Sequence, residues 1–432
     1  MNALGIASVA ALAAAHLHGP ATAVSRPGLG VFSHVVIVVQ ENRSFDNLFQ
    51  GYPGANTVAS GVTSTGQTVP LQPIPIGGGF DINHRLSDFV AACDGTGSLP
   101  GTNCRNDAFD LEAWGGSQQY GTLPMYSYVP SSDTQQYFSL AQQYVLADDN
   151  FASHLDASFV GHQYLIAAQA QAAVDIPMGK WGCGSQVDTI TQGRTIGPTE
   201  PACFEETTLS DEVDQAGLKW KLYAPRKKDP GFNWVGYQAI DHIRNGPEWK
   251  KNVVSPNTKL LSDITAGKLP SVSWVIPAYA ESDHEGAGDQ LGEQWVSTVV
   301  NAVGQSPYWS NTAIVVVWDD WGGFYDHVAP PYEDYDGLGF RTPLLVISAY
   351  SKQNYVSHVQ YEFGSILQFV EDVFSLGRLA ASDTRANSLV PDCFTFPSRP
   401  RPFVPVRTSM TPQQLERAVA SQPIYVDPAA GD

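Results

Sequence analysis

The sequence predicts an α/β fold: a central, mostly parallel sheet flanked by helices and interrupted by long loop insertions. Three observations point to it. Four short runs rich in Val and Ile, at 35–39, 272–276, 313–318 and 344–347, are continuously apolar rather than alternating, as expected of strands buried on both faces. Helical patterns at 133–146, 294–303 and 363–376 are interspersed with them, so strands and helices share one layered architecture. The 39 glycines and 30 prolines call for many turns and loops.

Along the chain, residues 4–15 form a short apolar stretch followed by Ala21-Thr22-Ala23, a small-x-small pattern suited to signal-peptidase cleavage. This predicts a signal peptide over 1–23, although Met1 to Gly5 lack the usual positive charge; an Ala-rich first helix is the alternative. The first strand run opens into Gln40-Glu41-Asn42-Arg43-Ser44. The stretch 57–80, rich in Gly, Thr and Pro, reads as a long loop. The run at 272–276 is followed by Glu281-Ser282-Asp283-His284, and that at 313–318 ends in Asp319-Asp320-Trp321-Gly322-Gly323. The tail from about 391 is Pro-rich and is expected to wrap the surface. No internal repeat or composition shift divides the chain.

Composition excludes several classes. Hydrophobic residues make up 43% and aromatics 11%, enough for a large core, so a disordered chain is excluded. With 43 acidic and 24 basic residues the net charge is -19. That field repels phosphate backbones, and the largest basic cluster is Arg226-Lys227-Lys228, so nucleic acid is not an expected partner. An anionic substrate would need a local positive centre, such as a metal. No apolar run reaches the roughly 18 residues that span a bilayer. Among five cysteines, the close pairs Cys93/Cys104 and Cys183/Cys203 bracket Gly-containing loops that disulfides would close in an oxidising compartment. Spacing alone leaves five reduced thiols open, and Cys393 has no obvious mate.

In open α/β sheets ligands bind beyond the carboxyl ends of the strands, and here three such ends deliver carboxylates, an amide and a histidine. Glu41, Asn42, Asp319 and Asp320 are hard oxygen donors that favour Mg, Ca or Mn. The alternative is that Asp319 caps a turn and Asp320 faces water. Asp241-His242 and Asp283-His284 each pair an imidazole with an acid, an arrangement suited to a general acid. A Gly-x-Ser-x-Gly elbow and a phosphate-cradling Gly-Lys loop are both missing, which argues against a metal-free serine hydrolase and a nucleotide-phosphate site.

The string His34-Val35-Val36-Ile37-Val38-Val39-Gln40-Glu41-Asn42-Arg43-Ser44-Phe45-Asp46 resembles the opening signature of the bacterial phosphoesterase family, which includes phospholipases C and a group of acid phosphatases within the alkaline-phosphatase superfamily of folds. Trp318-Asp319-Asp320-Trp321-Gly322-Gly323-Phe324-Tyr325-Asp326-His327-Val328 resembles the second signature. The likeness runs from about 34 to about 379. It implies an alkaline-phosphatase-like sheet and a single catalytic domain over 24–432. It also implies one divalent metal held by Glu41, Asn42, Asp319 and Asp320, with a metal-ligating serine nucleophile. Ser158 matches that serine, with Ser153 as substitute, although Asp156-Ala157-Ser158-Phe159-Val160-Gly161 departs from the family's Gly-Pro-Ser/Thr-x-Pro-Asn pattern. His84, Asp241-His242 and His284 match the family's active-site histidine positions, with Glu285 where many members carry Pro. The implied activity is phosphate-ester hydrolysis through a phosphoserine by a secreted or periplasmic enzyme. Phospholipase C-like diester cleavage on phospholipid stands slightly ahead of acid-phosphatase action on monoesters, and a non-catalytic metal-binding member is the rival.

Overall fold

The apolar runs become the middle of a sheet. The computed structural model describes residues 28–286 and 291–421, so the predicted signal peptide lies outside the described residues. In chain order the strands are β1 (His34–Gln40), β2 (Val145–Ala147), β3 (Trp220–Tyr223), β4 (Val253–Val254), β5 (Val272–Val275), β6 (Thr312–Trp318), β7 (Leu344–Ser348) and β8 (Tyr355–Ser357). Across the sheet they run β4-β3-β5-β1-β6-β7-β2-β8. Only β7 opposes its neighbours β6 and β2; the other neighbouring pairs are parallel. β6 is buried at every position and β1 at every position after His34, because both faces of the sheet are covered.

Among the helices that flank the sheet or border its carboxyl edge are α1 (Phe45–Phe49), α2 (Gln135–Gln143), α3 (Ser158–Ala167), α4 (Leu291–Gly304) and α5 (Phe363–Phe374). α4 packs against β6 and α2, and α3 packs against α5. The pattern at 133–146 predicts a single helix, but the helix ends at Gln143. Val145–Ala147 instead pairs with β7 and β8, long-range pairing having overridden local periodicity. The loop at 57–80 carries short strand pairs at Ser60–Val62 and Thr68–Pro70. The tail has neither helix nor strand from 395 to 411 and then forms a helix at Pro412–Ser421, which its Pro-rich composition does not suggest.

A second core of Ile82, Phe89, Phe109, Trp321, Phe324 and Phe340 gathers the insertion that follows α1 beside the end of β6. Both expected disulfides are formed, Cys93–Cys104 and Cys183–Cys203, and Cys393 is a buried free thiol. No helix among the described residues is long and apolar enough to cross a membrane.

Candidate active site

Parallel pairing of β1 with β6, in register from His34/Thr312 to Gln40/Trp318, makes the two signature loops leave the sheet side by side. Backbone bonds then strap them together: Asp319 N donates to Gln40 O (3.0 Å) and Arg43 N to Asp320 O (3.1 Å). Asn42 N donates to Asp319 Oδ1 at 3.0 Å. Asn42 takes a left-handed backbone (φ 57°), and Gly322 (φ 61°) lies so close that a Cβ there would sit 2.4 Å from Asn42 O. Gly322 of the second signature is thus required by contact with the first, whereas Gly323 (φ 73°) is crowded by Ile82 and Asn83.

α3 brings the serine. Ser158 is its first residue, and Ser158 Oγ donates to Asp320 Oδ2 at 3.0 Å and to Asn42 Oδ1 at 3.3 Å. Its position in the first turn of a ten-residue helix adds a field favourable to an anion. The helix can approach this closely because residue 161 is Gly: a Cβ would meet Asp319 O at 2.7 Å and His154 Nε2 at 2.8 Å. One turn after Ser158, on the same helix face, His162 Nε2 lies 3.1 Å from Glu41 Oε1 and 3.7 Å from Asp319 Oδ2. Burial lowers the His162 imidazole to about 4, so it is neutral, the form that ligates metals.

Ser158, His84 and His284 line one pocket with Ile176, Trp181 and Trp234. His84 Nδ1 bonds Ile82 O (2.7 Å), while Nε2 lies 3.3 Å from Asn42 Nδ2 and 3.5 Å from Asp320 Oδ2. Burial works to lower the His84 imidazole, yet the Asp320, Glu285 and Asp81 carboxylates outweigh it and raise it to about 10. In the metal-free chain these carboxylates thus favour the charged form of the His84 imidazole, which lines the same pocket as the serine. His284 Nδ1 lies 3.1 Å from Glu285 O, and the ring stacks on Trp234. Its neighbour Asp283 is anchored by Tyr137 Oη (2.6 Å) and Trp318 Nε1 (3.0 Å), fixing the loop to β6.

Glu41, His162 and Asp319 each offer one ligand atom, all within 4.8 Å of one another and all buried, a set able to hold a metal ion. Asp319 Oδ2 is buried and accepts no hydrogen bond. Among the described residues the ion pairs of Asp319 and Asp320 are with imidazoles only. Buried carboxylates so placed need a cation. The donor set therefore fits the divalent metal that the family resemblance implies.

The structure thus brings together Glu41, Asn42, His84, Ser158, His284, Asp319 and Asp320. It does not bring in Asp241 and His242: His242 is 37% exposed and pairs with Asp211 (3.0 Å) and Glu205 (3.5 Å), and Asp241 pairs with Asn245. Both sit on a surface helix whose preceding segment is strapped by backbone bonds to Phe204, which corrects their assignment to the site. Ser153 is also elsewhere, held by Glu362 (2.9 Å), Ser382 (3.1 Å) and the Phe363 N–H. His162 is a site residue that the motifs alone do not single out, although its spacing of four from Ser158 on a helix is a signal in the sequence.

Fold and site together define a class: an α/β protein that gathers a serine, carboxylates and imidazoles beyond the carboxyl ends of its central strands. Residues 32–377 match the model of the Phosphoesterase family, and the chain belongs to that family. It is 25% identical over 404 residues to the non-hemolytic phospholipase C of Burkholderia pseudomallei (79% of this chain, 55% of that protein). It is 24% identical over 446 residues to phospholipase C B of Mycobacterium tuberculosis (86% of this chain, 79% of that protein). The chain thus spans about half the length of the Burkholderia relative. A solved protein of the alkaline phosphatase superfamily from Vibrio parahaemolyticus is similar over 83% of this chain and 71% of its own, with 12% identity and a TM-score of 0.38.

Proposed function

We propose that this protein hydrolyses phosphate esters, phosphodiesters of the phospholipase C type foremost, with Ser158 as nucleophile. The observation that carries the reading is Ser158 Oγ held 3.0 Å from Asp320 at a helix start, beside the Glu41/His162/Asp319 set. A divalent cation bound by Glu41, Asn42, Asp319 and Asp320, with His162 as a further donor, would supply the positive charge that neutralises a phosphoryl oxygen and acidifies the serine hydroxyl. The imidazole of His162 widens the choice of metal from the oxygen-loving Mg, Ca and Mn towards Zn.

Asp320 Oδ2, already accepting the Ser158 hydroxyl, takes its proton as Oγ attacks phosphorus in line. The Oγ–P bond forms and the bond to the ester oxygen breaks. His284, whose Nδ1 faces the Glu285 carbonyl, gives the departing oxygen its proton from Nε2. Cationic His84 holds a nonbridging oxygen, and its charge counters that developing on the phosphoryl group. Water then adds to phosphorus and gives a proton to His284 Nε2, while the Oγ–P bond breaks and Asp320 returns its proton to Ser158 Oγ. Trp181, Trp234 and Ile176 give the pocket apolar walls that suit an organic ester group.

The names of the relatives support diester cleavage, and two disulfides are consistent with a secreted or periplasmic protein. The test is turnover of p-nitrophenylphosphorylcholine against p-nitrophenyl phosphate, with the parent and with Ser158→Ala. The reading expects the diester to be preferred and the variant to lose at least about three orders of magnitude in kcat. Equal activity of the variant would sink the nucleophile. Preference for the monoester would favour phosphatase action, and no turnover of either would favour a binding protein.

A further inference from the structure

The -19 charge of the chain is not evenly spread. Between 226 and 259 stand seven basic residues (Arg226, Lys227, Lys228, Arg244, Lys250, Lys251, Lys259) against three acidic ones (Asp229, Asp241, Glu248). The chain brings this stretch onto the β4 edge of the sheet, where a cleft is lined by Lys227, Lys250 and Lys259 together with Phe232, Trp249 and the two valines of β4. All three lysines are exposed, and none makes an ion pair among the described residues. Trp249 is held under the Arg244 guanidinium, 4.6 Å from its ring centre. Phe232 belongs to the turn Pro230–Trp234, whose last residue lines the Ser158 pocket. Cleft and pocket therefore share one turn of backbone.

We propose that this cleft is a docking surface for an anionic lipid bilayer, which it holds next to the mouth of the active site; the choice of a lipid rests on the phosphodiester reading. Charge complementarity argues for it: the charge outside this stretch is strongly net negative and repelled by such a bilayer, which biases approach towards this face. The mixture argues for lipid over nucleic acid. Lysines around an indole, a phenyl ring and valines match headgroups above hydrocarbon, since the ammonium groups stay among phosphates while the apolar groups reach deeper. A duplex would instead want a longer unbroken basic track than this acidic chain offers.

The test is sedimentation of the full chain with phosphatidylcholine vesicles, with and without one-third phosphatidylglycerol. It compares the parent with the triple variant Lys227→Gln/Lys250→Gln/Lys259→Gln, with turnover of soluble p-nitrophenylphosphorylcholine measured in parallel. The substituted side chains are exposed, so folding is not at stake. The parent should bind the anionic vesicles, less so at high salt. The variant should bind them about a hundred-fold more weakly, the combined effect of three charges near an anionic surface, with unchanged soluble turnover. Equal binding by parent and variant, or equal binding to neutral and anionic vesicles, would overturn the proposal. So would lysine-dependent binding to a duplex oligonucleotide without binding to vesicles. A chain that docks through these lysines but turns over no soluble ester would refute the phosphoester reading alone, leaving the docking intact.

Discussion

Replacing Gly161 by Ala tests how closely α3 must approach the second signature. Ala in a helix interior ordinarily gains about 1 kcal/mol over Gly. Here the new methyl would sit 2.7 Å from Asp319 O and 2.8 Å from His154 Nε2, between two groups that already share a 3.0 Å hydrogen bond. Since non-bonded heavy atoms settle at about 3.5 Å, helix or loop has to give by roughly 0.8 Å. Overpacking of this kind costs about 1–3 kcal/mol, and weakening the His154–Asp319 bond adds about 1 kcal/mol. The expected net loss is about 1–3 kcal/mol by urea unfolding. The same shift moves Ser158, one turn away, so turnover should fall about a hundred-fold. Gly30→Ala, where nothing lies within 4 Å, is the control and should be close to neutral. A Gly161→Ala protein as stable and active as the control would refute the close approach.

Three further outcomes rest on the same geometry. Glu281 is buried, and burial lifts its carboxyl to about 7 against opposing bonds from Asn257 Nδ2 and Ala278 N. A raised folded-state value means that its stability contribution is present below about 4.5 and lost as pH rises through 7. In metal-free protein, Glu281→Gln should therefore flatten the stability–pH curve between these limits by about 3 kcal/mol, read by chemical unfolding at a series of pH values. An unchanged slope would show that Glu281 titrates normally. Ser153→Ala should cost about 1–3 kcal/mol, because the buried Phe363 N–H loses its acceptor and Glu362 loses one of several donors, yet leave turnover intact; loss of turnover at native stability would reopen its candidacy as nucleophile. Cys183→Ser/Cys203→Ser, which opens a closure of 20 residues, should lower unfolding stability by up to about 3 kcal/mol, and no change would mean that the pair contributes nothing under the assay conditions.

Much of the sheet is legible in the sequence because its central strands are continuous apolar runs, and a strand buried on both faces admits little else. β3, β4 and β8 are not legible: each is at most four residues long, and pairing rather than composition makes them strands. The reversed direction of β7 is equally hidden, since burial on both faces looks the same either way. The strand-end residues Glu41, Asn42, Asp319 and Asp320 can be read because position on a sheet edge follows from the strand itself. The histidines are harder. An Asp-His pair looks alike at His242 and His284, and only tertiary packing puts the first on the surface and the second against Trp234. His162 is visible as a helical neighbour of Ser158, but its proximity to Glu41 depends on the approach that Gly161 permits.

The central claim is that Ser158 carries the phosphoryl group. The most direct measurement is an acid quench during turnover of a phosphate ester labelled in the phosphoryl group, followed by peptide mapping of the denatured chain. The account predicts label on Ser158, lost in Ser158→Ala. Label on another residue, or turnover with no phosphoenzyme on a step slow enough to trap one, would contradict it.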